Sequence, residues 1–236
     1  MAAMTEVALV TGGARRIGRA IVEKLADAGY AVAIHHGDSS EEAETLAAKL
    51  EASGAKTCLL SADLVDPAAV ATLIPAAEKA LGPVTLLVNN AASFVADDVR
   101  SLDIATWNRQ FSINLRAPSQ LIGIMAERLP ADLRGAVVNI VDQRVWKLTP
   151  QYYSYTLTKA ALLTATRTMA QALAPRIRVN AVGPGPTFPN SYDGADRLEQ
   201  EAAGTLLGRR IAPEEIAEAV LYLARASSVT GQMIAV

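Results

Sequence analysis

Apolar residues are distributed along this 236-residue chain in two alternating ways. Short, nearly continuous apolar runs occur at 6–11 (EVALVT), 30–36 (YAVAIHH), 56–64 (KTCLLSADL), 84–92 (VTLLVNNAA), 135–142 (GAVVNIVD) and 177–185 (IRVNAVGPG), and GQMIAV forms a last one. Runs of this kind predict strands buried on both faces. Between them lie longer segments whose apolar residues return every three or four positions: 17–29, 39–54, 66–82, 103–113, 115–129, 154–174 and 212–226. These predict amphipathic helices. Their ends carry matching signals. Gly29 closes the first, serines and acidic residues open the second, Pro67 sits in the first turn of the third, and Pro175 stops the long one. Segment 190–208 reads as a mobile, partly helical insert.

Strand–helix alternation with doubly buried strands requires a parallel sheet covered on both faces, and right-handed crossovers make it doubly wound. The expected fold is α/β: one Rossmann-like domain over 1–236, with about seven strands and a mobile substrate-loop region near 186–208. No repeat or long linker divides the chain. A hydrophobic content of 51% with 19% charged residues fits a packed domain and not a disordered one. The net charge of −2 gives no nucleic-acid footprint. No apolar run is long enough for a membrane helix, and the N-terminus lacks the pattern of a signal peptide. A cytoplasmic protein without membrane, nucleic-acid or metal partners is expected. The single cysteine, Cys58, allows no internal disulfide and reads as a small core residue.

In a doubly wound sheet, ligands bind beyond the carboxyl ends of the strands. The first such end is the turn TGGARRIG, Thr11 to Gly18. Gly12 and Gly13 let the backbone approach a pyrophosphate, and Gly18, after Ile17, lets the next helix pack on the strand. The helix start supplies N–H groups and a positive dipole end. The spacing is not G-x-G-x-x-G, so the turn alone also fits a bend that binds nothing. An NAD enzyme wants a carboxylate at the tip of the second strand for the ribose hydroxyls. Here the tip holds His35 and His36, and Asp38 follows only after Gly37. Arg15 and Arg16, with Ser39 and Ser40 opening the next helix, favour a 2′-phosphate and so NADPH. His36 is a candidate phosphate contact, although both histidines also read as a structural strand end.

The stretch DQRVWKLTPQYYSYTLTK (142–159) holds three tyrosines. Tyr155 and Lys159 are four apart on a helix and share a face. Tyr152 and Tyr153 have no lysine at that spacing. A neighbouring ammonium favours phenolate and should make Tyr155 a usable proton donor at the end of a hydride transfer. Tyr-x-x-x-Lys by itself also describes a solvated pair. The order of the parts is more specific. A glycine turn follows strand one, NNA (89–91) ends strand four, Asn114 lies mid-helix, Asp142 ends strand five, Tyr155 and Lys159 follow, and GPGPT (183–187) ends strand six. From about residue 5 onward the chain resembles a short-chain dehydrogenase/reductase. The resemblance implies Tyr155 as general acid, Lys159 as the group that holds the nicotinamide ribose and lowers the tyrosine pKa, and Asn114 as the holder of a water that links the lysine to solvent. It also implies that Asn90, Ala91 and Ala92 line the cofactor, that Asp63 and Leu64 meet the adenine, and that Pro184 and Gly185 close around the nicotinamide amide. A homotetramer is implied too, with helices 103–129 and 154–174 as interface elements.

Two departures from the family pattern bear on the substrate. Asp142 stands where most members have a serine, thirteen residues before the tyrosine, and Arg16 stands where most have a glycine. Both occur in the pteridine reductase branch, as does a phenylalanine like Phe94 after NNAAS. The resemblance to that branch, which includes dihydromonapterin reductases, implies a pterin-like small-molecule substrate bound by Arg16, Phe94, Asp142 and Tyr155. A flat heteroaromatic ring suits a slot between an aromatic side chain and the nicotinamide, and an acid relay suits protonation of a ring nitrogen. A ketone or aldehyde reductase and a non-enzymatic NADPH sensor are the other readings. Phe94 also fits plain packing, and Asp142 also fits a loop cap. Trp146 fits packing or substrate contact equally. Arg144 and Lys147 are expected in solvent.

Overall fold

The computed structural model describes residues 5–189 and 194–236. Seven parallel strands form one sheet in the order β3-β2-β1-β4-β5-β6-β7. They are β1 (Val7–Val10), β2 (Ala31–His36), β3 (Thr57–Ser61), β4 (Val84–Asn89), β5 (Gly135–Ile140), β6 (Ile177–Gly183) and β7 (Met233–Ala235). The helices are α1 (Arg16–Asp27), α2 (Ser40–Ala52), α3 (Pro67–Leu81), α4 (Ile104–Phe111), α5 (Ala117–Arg128), α6 (Tyr153–Leu173), α7 (Gly194–Ala203) and α8 (Pro213–Arg225). The expected single-domain doubly wound sheet is the observed one. No helix among the described residues is long and apolar enough to cross a membrane.

The alternation of side chains along each strand divides the core in two. Ala8, Val10, Val32, Ile34, Leu86 and Val88 pack on α1, α2 and α8 through Ile21, Leu25, Leu46, Val220 and Leu223. Val7, Leu9, Ala33, Leu87, Val137 and Val179 pack on α3 and α5 through Leu73, Ile74, Leu121 and Met125. Strands that are apolar at every position therefore need helices on both sides. One buried polar ladder crosses this packing: Asn89 Nδ2 donates to Asn139 Oδ1 (2.8 Å), and Asn139 Nδ2 donates to Thr166 Oγ1 of α6 (2.9 Å). It fixes α6 against β4 and β5.

Three local features differ from the sequence expectation. The two helical segments on either side of Asn114 are one run, α4 passing through a π-helical turn, Ser112–Arg116, into α5. β4 and β5 stop at Asn89 and Ile140, short of the expected 92 and 142, because Asn90 and Asp142 spend their side chains on the neighbouring turns described below. A 3₁₀ turn, Gln143–Val145, follows β5. Of the expected insert 190–208, residues 190–193 lie outside the described residues; the rest contains α7.

Candidate active site

β1 lies between β2 and β4, so the loops leaving its carboxyl end diverge and open a crevice. The glycine turn sits in that crevice. Gly12 has φ 62°, and a Cβ there would meet Ala91 Cα at 3.0 Å. A Cβ on Gly18 would fall 2.0 Å from the Gly12 carbonyl oxygen. Asn90 Nδ2 donates to the carbonyls of Thr11 (2.9 Å) and Gly12 (3.0 Å). From the other side, His35 Nδ1 accepts the Gly12 N–H (3.1 Å), so its Nε2 carries the proton that bonds Ala62 O (3.1 Å). His35 is thus a brace for the turn. The start of α1 has no side-chain cap and no acidic residue in its first turn, which leaves its N–H groups for an anion. Arg16 has φ 53°, the left-handed region where glycine is favoured, which explains why a glycine is usual at this position. Its guanidinium donates to Pro189 O (3.1 Å) and lies 4.9 Å from the Phe188 ring centroid.

The opposite wall comes from β5, α6 and α7. Asp142 Oδ1 accepts the Arg144 backbone N–H (2.8 Å), and Oδ2 accepts the Tyr155 hydroxyl (3.0 Å). Lys159, one helical turn beyond Tyr155, is buried; its Nζ donates to Ile140 O (2.7 Å) and lies 5.7 Å from the Tyr155 ring centroid. Phe94 stacks on Tyr152 (4.4 Å between centroids, 9° between planes) and meets Tyr155 edge-on at 4.5 Å. Tyr152 itself has φ 57°, a strained conformation for a bulky residue, held by that buried stack. Asp97 fixes the start of α6 by accepting the Ser154 N–H on its carboxylate (3.1 and 3.2 Å). Asn114, in the π-helical turn, exchanges bonds with the Ser93 backbone (2.7 and 2.9 Å) and donates to Thr158 Oγ1 (3.0 Å). π-helical turns concentrate at functional sites.

The electrostatics correct one expectation. Burial raises the Tyr155 phenol well above its ordinary value, and Asp142 raises it further. The expected lowering by Lys159 is not what this geometry produces, because the phenol is buried and bonded to the Asp142 carboxyl group. Burial also raises Asp142, against the pull of Arg144, Tyr155 and Lys159. Lys159 is pushed down to about 8 by burial, with Asp142 opposing. The resting site therefore holds a protonated phenol on a carboxyl that itself resists ionisation.

These walls enclose a cleft of about 590 Å³ that runs from His36, Gly37, Asp38 and Ser39 to Tyr155, Phe188 and Glu201. The enoyl-(acyl carrier protein) reductase family model matches residues 12–236. The chain is 31% identical to the 3-oxoacyl-[acyl-carrier-protein] reductase FabG of Staphylococcus aureus, over 98% of this chain and 96% of that one. Among solved structures, FolM alternative dihydrofolate reductase 1 from Brucella canis, complexed with NADP, is 49% identical with a TM-score of 0.95, covering 98% of this chain and 92% of that one. A blue fluorescent protein from a metagenomic library, in complex with NADPH, is 35% identical with a TM-score of 0.92, covering 98% and 96%. The chain belongs to the short-chain dehydrogenase/reductase family.

Most of the residues singled out from sequence line the cleft of this short-chain dehydrogenase/reductase: Gly12, Arg15, Arg16, Ile17, Gly18, His36, Ser39, Asn90, Ala91, Ala92, Phe94, Asp142, Tyr155, Lys159, Pro184 and Gly185. Four do not. Ser40 begins α2 facing outward, Asp63 is exposed and accepts the Val65 N–H (2.9 Å), Leu64 is buried in the core, and Asn114 lies behind the wall. Arg15 reaches Glu42 (3.2 Å) at the surface, so a phosphate would compete with that carboxylate. Arg144, expected in solvent, is instead buried over Tyr152, and Trp146 is 61% exposed and away from the cleft. Sequence reasoning missed Arg144, Phe188 and Glu201. The last two fall in the expected substrate-loop region 186–208 but were not singled out by residue, and Arg144 stood in plain view two residues after Asp142. The donor set fits a dinucleotide: two helix starts, a turn open only to glycine, and a buried ammonium at the far end.

Proposed function

We propose that this protein is an NADPH-dependent reductase that saturates a C=N bond of a pterin-like heterocycle. The observation that carries the reading is the 3.0 Å hydrogen bond from the Tyr155 hydroxyl to Asp142, in a cleft that Phe94 also lines. A serine at position 142 could donate to a substrate carbonyl. An aspartate can donate only while protonated, and when ionised it repels a developing alkoxide. A nitrogen that gains a proton has no such conflict, and the N–H groups of a pterin ring can donate to the carboxylate. The 49% identity to a protein described as an alternative dihydrofolate reductase supports the same reading.

The cofactor, when bound, supplies the hydride. Gly12, Ile17 and Gly18 would hold its pyrophosphate. Arg15, His36, Ser39 and Ser40 would meet the 2′-phosphate end, with Asp63 and Leu64 toward the adenine. Asn90, Ala91, Ala92, Pro184 and Gly185 would line its nicotinamide half. Lys159 would hold a ribose of the cofactor, and Tyr155 gives a proton to the substrate nitrogen. Asp142 then re-protonates the phenol, a role that the upward push of burial on its carboxyl favours. Asn114 keeps the backbone of the π-helical turn in place for a water. Arg16 and Phe94 bind the ring of the substrate, and the single domain 1–236 carries its substrate-loop region near 186–208, a reading supported by Pro186, Phe188, Leu198 and Glu201, which line the cleft. We place the protein in the cytoplasm as a homotetramer built on helices 103–129 and 154–174; the exposed Ile104 and Leu157 on those helices support that surface.

The test is NADPH oxidation with dihydrobiopterin and dihydrofolate, run beside a panel of ketones and an acetoacetyl thioester. Pterin turnover should dominate. Faster turnover of ketones or thioester would make the protein a carbonyl reductase, as its likeness to FabG suggests. NADPH binding without turnover of any substrate would make it a sensor.

A further inference from the structure

Arg144 is a charged residue of the cleft with no task in the chemistry above. Only 7% of its surface is exposed. Its guanidinium meets Glu201 Oε1 of α7 at 3.2 Å and stands 4.0 Å from Asp142 Oδ1. The rings of Tyr152 and Phe94 lie 5.0 and 5.8 Å away. Its Nε is buried and has no hydrogen-bond partner among the described residues. A buried guanidinium needs a carboxylate. Here one cation stands between two, and the geometry divides it unequally. Glu201 is within hydrogen-bond range, whereas Asp142 is reached only by Coulomb attraction. Asp142 takes the Arg144 backbone N–H on one oxygen and the Tyr155 phenol on the other.

We propose that Arg144 and Glu201 form a charge-balancing pair that decides when Asp142 holds a proton, which makes both of them positioning residues for proton delivery. The inference rests on the reading of Asp142 and Tyr155 as the proton path. Asp142 faces Tyr155 and Lys159 from α6 and Arg144 from its own turn. Arg16 of the first turn and Glu201 of α7 share its cleft, and Arg197 lies 3.6 Å from Glu201. While Glu201 is ionised and in place, it absorbs most of the Arg144 charge, and burial keeps Asp142 protonated to higher pH. Without Glu201, the guanidinium turns fully to Asp142 and favours the carboxylate. Without Arg144, Asp142 loses one of its cations and faces Glu201 unscreened, which favours the acid.

The two partners thus have opposite effects, which loss of packing alone does not produce. The experiment compares the pH dependence of reduction in wild type, Glu201→Gln and Arg144→Met. Reduction falls as pH rises through the titration of the proton donor. That limb should move toward acid in Glu201→Gln and toward alkali in Arg144→Met, each by about one pH unit. The same titration is read without substrate, in the resting protein, as the infrared carboxyl band that disappears in Asp142→Asn. A band unmoved in both variants, or displaced the same way in both, overturns the proposal. If wild type reduces ketones but no pterin, the substrate reading fails while this test runs on the ketone. If nothing is turned over, the infrared titration alone decides.

Discussion

Acid should loosen the glycine turn through His35, and the size of the effect follows from its surroundings. The ring is 2% exposed, and its two nitrogens hold the Gly12 N–H and the Ala62 carbonyl. A proton on Nδ1 would face a donor and break the Gly12 bond. Burial, with a smaller push from His36 and against the Ala62 bond, lowers the pKa from 6.5 to about 4. Above 6.5 the ring is neutral whether the chain is folded or not, and the stabilisation is intact. As pH falls from 6.5 toward 4, the unfolded chain takes up a proton that the folded one refuses, so stability is lost across that window and the loss levels off below it. At about 1.4 kcal/mol per tenfold change in proton affinity, the loss amounts to about 3 kcal/mol. His35→Asn removes the titration while keeping an acceptor and a donor on the side chain. It should cost about 1 kcal/mol at neutral pH through poorer hydrogen bonds, yet lose about 3 kcal/mol less than wild type on acidification. Urea unfolding of both cofactor-free proteins, from above pH 6.5 down to about 4, measures this. Carboxylates elsewhere contribute equally to both and cancel. Parallel losses in the two proteins would refute the assignment. NADPH affinity of folded wild type should hold through this window and weaken only as pH falls through about 4, where His35 of the folded chain takes up its proton and releases Gly12.

Four further outcomes are expected. Arg16→Gly relieves a left-handed arginine and should raise stability by about 1 kcal/mol in thermal unfolding, while weakening pterin binding more than ketone binding; equal losses on both would remove Arg16 from the substrate site. Gly18→Ala drives a methyl group onto the Gly12 carbonyl, and a fluorescence titration should show NADPH affinity collapsing; wild-type affinity would mean that the turn can yield. Asp142→Ser should lower pterin turnover by about a hundredfold, the lower range for a general acid, with ketone turnover kept; unchanged pterin turnover counts against the relay. Tyr155→Phe should lose turnover to a similar degree and still bind NADPH, which separates the proton donor from a cofactor anchor.

Periodicity of the sequence determined the layers of this protein. Strands such as VALV and AVAIHH have no polar face, so they must lie between two helical layers, and each helix carries one apolar stripe to supply them. The glycine turn and the Tyr155–Lys159 face were legible for the same reason, each being a local constraint set by a backbone angle or by one turn of helix, whereas Asp142 stood out only through the family resemblance, as a departure from its usual serine. An acid relay of Asp142 beside Tyr155 was part of the sequence reading, and the two are in direct contact; what that contact does to the phenol was not legible. A four-residue spacing brings Lys159 onto its face, but burial against Asp142, thirteen residues earlier and on another element, decides the phenol's proton affinity, and in the direction opposite to that expected from the lysine. His35 bracing Gly12, Asp97 capping α6 and Glu201 meeting Arg144 are likewise contacts between segments far apart in the chain. Desolvation and long-range hydrogen bonds depend on what the fold brings near, so they exist only in three dimensions; propensity and spacing are written residue by residue.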